Sequence, residues 1–458
     1  MRALLESLRP AAPLRWARPR RELALLALCA VAALSVVNNI DVQDQSRWCL
    51  TDAVLHGRLT VDRCISFSGD RSRYGGHLYS NKAPGMSLLA LPAVAALDYS
   101  PSTVLHTQVG AKMWLVRLFA CGLPFLLAAF LVGRVCESLR PGTGGPALVT
   151  FALATPVAPF AAAGFDHVPT AAFAFAAFVL AWRRRPFAAG VAAGAAVLGE
   201  YEAVVVVLCL GLYALLGGRR ALLRYVLGVL PGAAALGAYD WAAFGRPWRT
   251  PLPYSDNEYR AVHRSGLLGV HLPNLHSVEL VFTGPGGLVT VSPVLALAAY
   301  GLVRLWRRGL RAEAGVCAVV AAAFVVAECG YGDPYGGYSP VPRYLIPAIP
   351  FLAVGLAEAF ARLRAATALA AAVSLVATTA LTISWSVYVA DGGAWNDVAR
   401  FASDAQEWLS AYPSPNALAW LGLAQPVAAI AAMLAGAAAF VFSLDLGARG
   451  AAPRAVPA

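Results

Sequence analysis

Charged residues are scarce in this 458-residue chain: only 13% of its residues are Asp, Glu, Lys or Arg, about half the usual share in soluble domains. Hydrophobic residues make up 59%, which excludes an ordinary soluble globular protein and indicates a polytopic membrane protein. The net charge of +11 would suggest nucleic-acid binding in a soluble chain. Here most basic residues lie in short loops between apolar segments, so they indicate topology and no nucleic-acid partner is expected.

No cysteines have the spacing of zinc ligands. We also expect no cleavable leader. Cys49 and Cys64 share the first long polar loop, and they would form a disulfide only if that loop faces an oxidising compartment. Six arginines precede residue 22, and the apolar run 23–37 follows without a cleavage site of small residues. This pattern predicts an uncleaved first transmembrane helix with its N-terminus in the cytoplasm.

The apolar segments predict an all-α membrane protein with about 12 transmembrane helices. After 23–37, the predicted spans are 113–133, 147–163, 168–182, 187–200, 203–217, 222–243, 286–304, 314–329, 344–361, 364–388 and 417–443. The run 86–97 is too short to span and contains Pro92, so we expect an interfacial helix there. The arginine-rich loops then all lie on the cytoplasmic side, as the positive-inside rule requires.

This topology divides the chain by function. The predicted parts are a basic cytoplasmic N-terminus (1–21), a catalytic membrane module (22–361), C-terminal helices (362–444) and a cytoplasmic tail (445–458). The outer loops 38–112, 244–285 and 330–343 carry most of the polar residues, so the catalytic surface is expected to be extracytoplasmic. No internal repeat of the kind found in many transporters is visible.

The first outer loop is the richest in ionisable residues. Asp44 precedes a segment whose apolar residues suit a helix ending at Gly57, so Asp44 would cap that helix or lie just before it, and a capping role does not exclude a catalytic one. Lys82, one of only two lysines in the chain, precedes Pro84 at the start of the short helix. A cation near a helix N-terminus at the membrane surface suits an anionic lipid headgroup, and simple snorkelling is the alternative.

Other ionisable residues stand at predicted helix ends. Asp166, His167 and Glu200 each lie between two apolar runs with no intervening basic residue. At membrane depth such groups usually mark a site, although each would also suit a short solvated turn. Arg343 lies in an outer loop rich in Tyr, Gly and Pro, where its guanidinium suits a phosphate.

These motifs, in this order, resemble the GT-C superfamily of membrane glycosyltransferases, whose relatives include protein O-mannosyltransferases and the lipid A aminoarabinose transferase. Residues 44–48 (DQSRW) resemble the Asp-Glu-Ser/Thr-Arg-Tyr signature, and residues 82–85 (KAPG) resemble Lys-Pro-Pro-Leu. His167, the Glu-Tyr pair at Glu200 and the PRYLIP run recur in this order in bacterial members. The resemblance covers residues 22 to about 361.

The resemblance implies transfer of a sugar from a polyprenyl-phosphate donor to an acceptor hydroxyl on the outer side of a bacterial-type inner or plasma membrane. Asp44 would be the general base of an inverting displacement, with Asp41 supplying the acid that the signature has where this chain has Gln45. Lys82 and Arg343 would neutralise the departing phosphate. The remaining candidates bind sugar or acceptor: His77, Tyr79, Asp166, His167, Glu200, Tyr335 and Tyr338.

The run 86–97 would border a groove for the prenyl chain. Membrane lipid is a further expected partner, and the acceptor is a glycan, a lipid or a protein. No metal ligand is assigned, no cofactor is required by a motif, and a divalent metal stays open. A transporter or flippase of a lipid-linked or small polar substrate is the alternative, but it would need ionisable groups in broken helices near the middle of the membrane.

Overall fold

The computed structural model describes residues 19–38, 42–64, 69–98, 110–337, 339–384 and 393–451, and these residues are mostly helical. Among these described residues, five helices are long and apolar enough to cross a membrane, or eight if each of three bent helix pairs counts as one span. The prediction of an all-α polytopic membrane protein is confirmed. The count of about 12 spans stays a prediction, because four further apolar helices have only 10–17 residues.

The first half of the chain contains the helices that surround the candidate site. Its elements are α1 (Pro19–Cys29, continued by a π-helix Ala30–Leu34), α2 (Val42–Leu55), β1 (Arg71–Tyr74), β2 (His77–Ser80), α3 (Gly85–Leu97), α4 (Ala111–Leu139), α5 (Gly144–Leu153), α6 (Val157–Ala163), α7 (His167–Trp182), α8 (Pro186–Gly199), α9 (Tyr201–Leu216) and α10 (Arg219–Phe244).

The second half adds a polar connection and a second group of helices. Its elements are a 3₁₀ turn (Leu252–Tyr254), α11 (Tyr259–Arg264), α12 (Leu275–Thr283), α13 (Leu288–Val291), α14 (Val294–Arg307), α15 (Arg311–Gly330), α16 (Arg343–Ala353), α17 (Leu356–Arg362), α18 (Arg364–Ser384), α19 (Gly393–Ser403), α20 (Ala405–Ala411), a 3₁₀ helix (Ala417–Leu421) and α21 (Gln425–Ala451).

The first polar loop has a fixed fold of its own. Helix α2 ends at Leu55, two residues before Gly57, whose φ of 69° stops the helix as the sequence predicted. The following hairpin turns on Gly75 and Gly76, both with positive φ, which glycine adopts at little cost. Cys49 and Cys64 form a disulfide with their Cα atoms 5.5 Å apart, which ties α2 to the chain before the hairpin.

The short helix α3 was expected at residues 86–97, and the structure has it at Gly85–Leu97 with Pro84 directly before it. Its buried side chains include Met86 and Ala90, which join the main hydrophobic core. Gly85 contacts the end of α8 so closely that an added Cβ would lie 2.4 Å from the carbonyl carbon of Leu198. An interfacial position for this helix stays a prediction, since packing against α8 does not define the membrane boundary.

Helices α8 and α10 cross at glycines spaced four residues apart on both helices. An added Cβ on Gly190 would lie 2.0 Å from the carbonyl oxygen of Tyr225, and one on Gly228 would lie 2.1 Å from that of Phe187. Small residues at this spacing let transmembrane helices approach until their backbones touch. The crossing holds the end of α8, and with it Glu200, beside α10.

We expect Gly228→Ala to lower the free energy of unfolding by roughly 1–3 kcal/mol, because the new methyl group would force the two backbones apart. Thermal unfolding of the purified protein in detergent measures this. Gly211→Ala is the matched control, since its added Cβ would meet no atom closer than 3.6 Å. Equal melting temperatures for the two variants would contradict the tight crossing.

Candidate active site

Three outer loops of the predicted topology meet in one place. Ser72 of the hairpin forms a β-bridge with Ser255, and its buried hydroxyl donates to the carbonyl oxygen of Pro251 at 2.8 Å. Val270 pairs in the same way with Tyr331. The backbone therefore joins the first loop to the 244–285 loop, and that loop to the 330–343 loop.

These loops enclose a cavity of about 190 Å³, here called the central cavity, lined by Asp70, Asn81, Lys82, His263, Arg343 and Tyr344 among others. A smaller cavity of about 50 Å³ adjoins it and shares Asn81, Lys82, Arg343 and Tyr344 with it. This second space extends to Asp166, His167 and Glu200. The structure thus brings together five of the side chains that the sequence analysis selected: Lys82, Asp166, His167, Glu200 and Arg343.

The hairpin register places an anion beside Lys82. Because Arg71 pairs with Ser80, the next residues outward, Asp70 and Asn81, also face each other. The Asn81 amide donates to Asp70 at 3.1 Å, and the Lys82 ammonium lies 3.3 Å from the other carboxylate oxygen. Burial would raise the pKa of Asp70, but the charge of Lys82 and the Asn81 hydrogen bond outweigh it and lower that pKa.

Arg343 enters the central cavity from the start of α16. Its guanidinium lies 5.7 Å from the centre of the Phe165 ring and 5.2 Å from that of Tyr344. Its Nη2 donates to the Tyr344 hydroxyl at 3.3 Å, whereas its Nε is buried and has no hydrogen-bond partner among the described residues. A buried donor without a partner is costly, and an anion in the cavity would satisfy it.

Asp166, which lines the smaller cavity, belongs to a buried ion pair. Arg47 Nε donates to Asp166 Oδ2 at 3.1 Å, and its Nη2 lies 2.6 Å from Asp166 Oδ1 and donates to Gln43 Oε1 at 2.7 Å. Arg47 is 1% exposed and Asp166 is 4% exposed. The pair therefore combines one charge-assisted hydrogen bond, from Nε to Oδ2, with a close ion-pair contact at Oδ1.

His167 connects this pair to Glu200. Its Nδ1 contacts the Glu200 carboxylate and lies 3.8 Å from Asp166. Burial would raise the pKa of Asp166, but the Arg47 charge lowers it below its usual range. Burial and the nearby Asp166 charge instead raise the pKa of Glu200. The pKa values of these two neighbouring carboxyl groups are therefore shifted in opposite directions, which is typical of a functional site.

Asp166, His167 and Glu200 each offer one ligand atom, and these atoms lie within 4.8 Å of one another, so they could hold a metal ion. Asp166 Oδ1 and both ring nitrogens of His167 are buried and have no hydrogen-bond partner among the described residues, and a metal ion would supply one. The charges of Arg47, Lys82 and Arg343 act on His167 and would oppose a further cation. A divalent ion would therefore have to compete with Arg47 for Asp166.

Asp44, the predicted general base, faces away from both cavities. It lies in the first turn of α2, not at its cap, and its carboxylate forms a buried ion pair with Arg117 of α4. Arg117 also donates to the carbonyl oxygen of Asn38 at 2.6 Å. Gln43, one residue earlier, lines both cavities instead. A catalytic role for Asp44 stays a prediction.

The remaining predicted residues lie outside the lining of both cavities or outside the described residues. His77 is exposed and contacts Asp62 at 3.0 Å. Tyr79 packs in a small apolar cluster with the disulfide, and the Tyr335 hydroxyl donates to the carbonyl oxygen of Leu280 at 3.0 Å. Asp41 and Tyr338 are not among the residues that the structure describes.

Asp70, Asn81 and His263 are among the side chains at the site that the sequence analysis missed, as are Gln43 and Tyr344. His263 contacts the Ser255 hydroxyl and the Tyr331 hydroxyl, both at 3.1 Å. Burial and the charge of Lys82 lower its pKa to about 4, so its imidazole is neutral at pH 7. The hairpin pattern around the two glycines was a usable signal for Asp70, because it places that residue opposite Asn81.

The fold has known counterparts. Neither a protein-family model nor a curated protein matches the chain. A crystal structure of ArnT from Cupriavidus metallidurans bound to undecaprenyl phosphate matches with a TM-score of 0.57 and 14% sequence identity, over 94% of this chain and 76% of that one. Apo ArnT from the same organism matches with a TM-score of 0.51 and 14% identity, over 93% and 75%. The resemblance to the GT-C superfamily is confirmed at the level of the fold.

We expect Asp166→Asn to lower the free energy of unfolding by roughly 3–5 kcal/mol, because it leaves the Arg47 charge buried without its partner. Thermal unfolding in detergent measures this loss, and the double variant Arg47→Gln/Asp166→Asn should regain part of it. Asp256→Asn is the control, since Asp256 pairs with Arg71 at 3.2 Å in a partly exposed position. A loss no larger than that of the control would show that the buried pair contributes little.

Proposed function

We propose that this chain is an integral membrane glycosyltransferase that moves a sugar from a polyprenyl-phosphate donor to an acceptor hydroxyl on the extracytoplasmic side of the membrane. The observation that carries the proposal is the convergence of Lys82 and Arg343 on one cavity inside a GT-C fold. The undecaprenyl phosphate bound to ArnT supports a donor of this class.

The two cations suit the departing phosphate. In glycosyl transfer from a lipid phosphate, the bond between the anomeric carbon and the phosphate oxygen breaks, and the phosphate oxygens gain negative charge. Fixed cations placed where charge develops stabilise the transition state, and they need no reorganisation during the reaction. The Arg343 Nε without a partner and the Lys82 ammonium would both bind these oxygens.

The same cavity supplies a carboxylate for the acceptor. Asp70 lines it and is ionised at neutral pH, so it can accept a proton; the charge of Lys82 lowers its pKa and with it the strength of the base. Asp44 would have to leave Arg117 before it reached the cavity. We therefore place Asp70 ahead of Asp44 as the group that takes the acceptor proton while the hydroxyl oxygen attacks the anomeric carbon, with inversion.

The other side chains complete the site. Asp166, His167 and Glu200, in the adjoining cavity, would bind hydroxyl groups of the sugar or the acceptor. Helix α3 begins at Gly85, three residues after Lys82, so the prenyl chain would leave along it toward the lipid. A transporter or flippase is the alternative hypothesis, and the first experiment below separates it from the enzyme.

Release of polyprenyl phosphate from polyprenyl-phosphate sugars, by purified protein in lipid nanodiscs, tests the function. We expect Lys82→Ala to lower turnover by about 10²–10³, the usual cost of one transition-state contact. Lys112→Ala is the matched control, because it removes the other lysine, whose exposed ammonium contacts only the carbonyl oxygen of Asp98 among the interactions described.

Unchanged turnover in Lys82→Ala would contradict the proposed phosphate site. If no donor of this class releases its phosphate but labelled lipid crosses the bilayer of a proteoliposome, the transporter hypothesis replaces the enzyme.

The choice between the two carboxylates has its own test. We expect Asp70→Asn to lower kcat by about 10²–10⁴ without loss of the folded state, because it removes the base. A loss of turnover in Asp44→Asn alone would not identify the base, since this variant also leaves the Arg117 charge buried without its carboxylate partner. The double variant Asp44→Asn/Arg117→Gln removes both charges, and we expect it to keep most of the turnover.

An inactive but folded double variant, together with an active Asp70→Asn, would reverse the assignment and make Asp44 the base. Melting temperatures in detergent establish which variants are folded.

A further inference from the structure

A further cavity, separate from the two at the candidate active site, lies at the opposite end of the helices that form that site. It has a volume of about 250 Å³ and is lined by Arg184, Arg220, Arg224 and Tyr213, with small residues between them. Helix α7 runs from the candidate active site to this end, and its 16 residues span about 24 Å. The cavity therefore belongs to a different surface from the one already described.

The charges around this cavity have one sign. None of the described residues that line it is acidic. Glu313 is the acidic group next to it: it is 5% exposed, accepts a hydrogen bond from the Tyr213 hydroxyl at 3.1 Å and interacts with the charge of Arg184. Arg220 and Arg224 both line the cavity and no described acidic residue does, so the wall of the cavity is cationic.

The spacing of two arginines sharpens this point. Arg220 and Arg224 are four residues apart on α10, so they lie on one face of the helix and both line the cavity. Like charges at this spacing repel each other and destabilise a helix by a few tenths of a kcal/mol. An anion between the two guanidinium groups would attract both and offset their mutual repulsion.

The flanks of the cavity are apolar and open. Leu212 is 68% exposed, Leu215 is 43% exposed and Leu223 is 59% exposed, on the same two helices that carry the cavity. In a membrane protein such exposed leucines contact lipid chains. An occupant with an anionic head and apolar chains fits both features, whereas a soluble anion uses only the arginines.

We propose that this cavity binds the phosphate headgroup of an anionic phospholipid on the membrane face opposite the candidate active site, with the acyl chains lying along α9 and α10. Basic pockets between transmembrane helices recognise anionic lipid headgroups by charge. The proposal is independent of the glycosyl-transfer proposal, because it concerns other residues and needs no turnover.

The test is native mass spectrometry of the delipidated full-length protein in detergent, titrated with phosphatidylglycerol or with phosphatidylcholine of the same chains. We expect phosphatidylglycerol to bind preferentially. Arg220→Ala/Arg224→Ala should weaken its binding about 30-fold, which corresponds to about 2 kcal/mol for two arginines. Arg307→Ala/Arg362→Ala is the matched control, since both arginines lie at ends of helices away from the candidate site and neither lines the cavity.

Arg220→Lys/Arg224→Lys keeps the charges and should keep most of the affinity. Equal binding of the two lipids, or equal affinity of the alanine variant and its control, would overturn the proposal. Displacement of the lipid by inorganic phosphate at matched ionic strength would assign the cavity to a soluble anion instead, and a lysine variant as weak as the alanine variant would show that charge is not what binds.

Discussion

The buried ion pair between Arg47 and Asp166 is the interaction on which the arrangement of the site depends. It joins α2 of the first outer loop to the start of α7, two elements separated by more than a hundred residues. Both groups are almost fully buried, where an unpaired charge is very costly, so the two elements are held in one orientation. That orientation turns Gln43 toward the cavities and Asp44 toward Arg117.

Near this pair, two cationic side chains line one small cavity. Lys82 comes from the chain after the hairpin and Arg343 from the start of α16, and each is partly compensated by a neighbour: Asp70 for the first, the Tyr344 ring for the second. The central cavity is lined by these two cations and by two carboxylates, Asp70 and Glu258, and the adjoining cavity adds Asp166, Glu200 and Glu202. Under the proposed function, the cations would bind the phosphate of the donor and the carboxylates would bind hydroxyl groups.

The same helices serve two ends of the molecule. Glycine contacts between α8 and α10 hold these two helices close together. Glu200 lies at one end of this helix pair and the arginine-lined cavity lies at the other. An occupant of that cavity would therefore contact the same helices that lead to Asp166, His167 and Glu200.

The sequence by itself determined the membrane class, the helix that ends before Gly57, the short helix that follows Pro84, and the GT-C resemblance, because apolar run length and helix-end residues are local properties. It also selected Lys82, Asp166, His167, Glu200 and Arg343, since ionisable side chains are costly at membrane depth wherever they occur. Only the tertiary structure decided which side chains meet. Asp44 and Asp70 look alike in sequence, but ion pairs with distant residues direct one to Arg117 and the other to Lys82 beside the cavity, and no local pattern encodes such long-range partners.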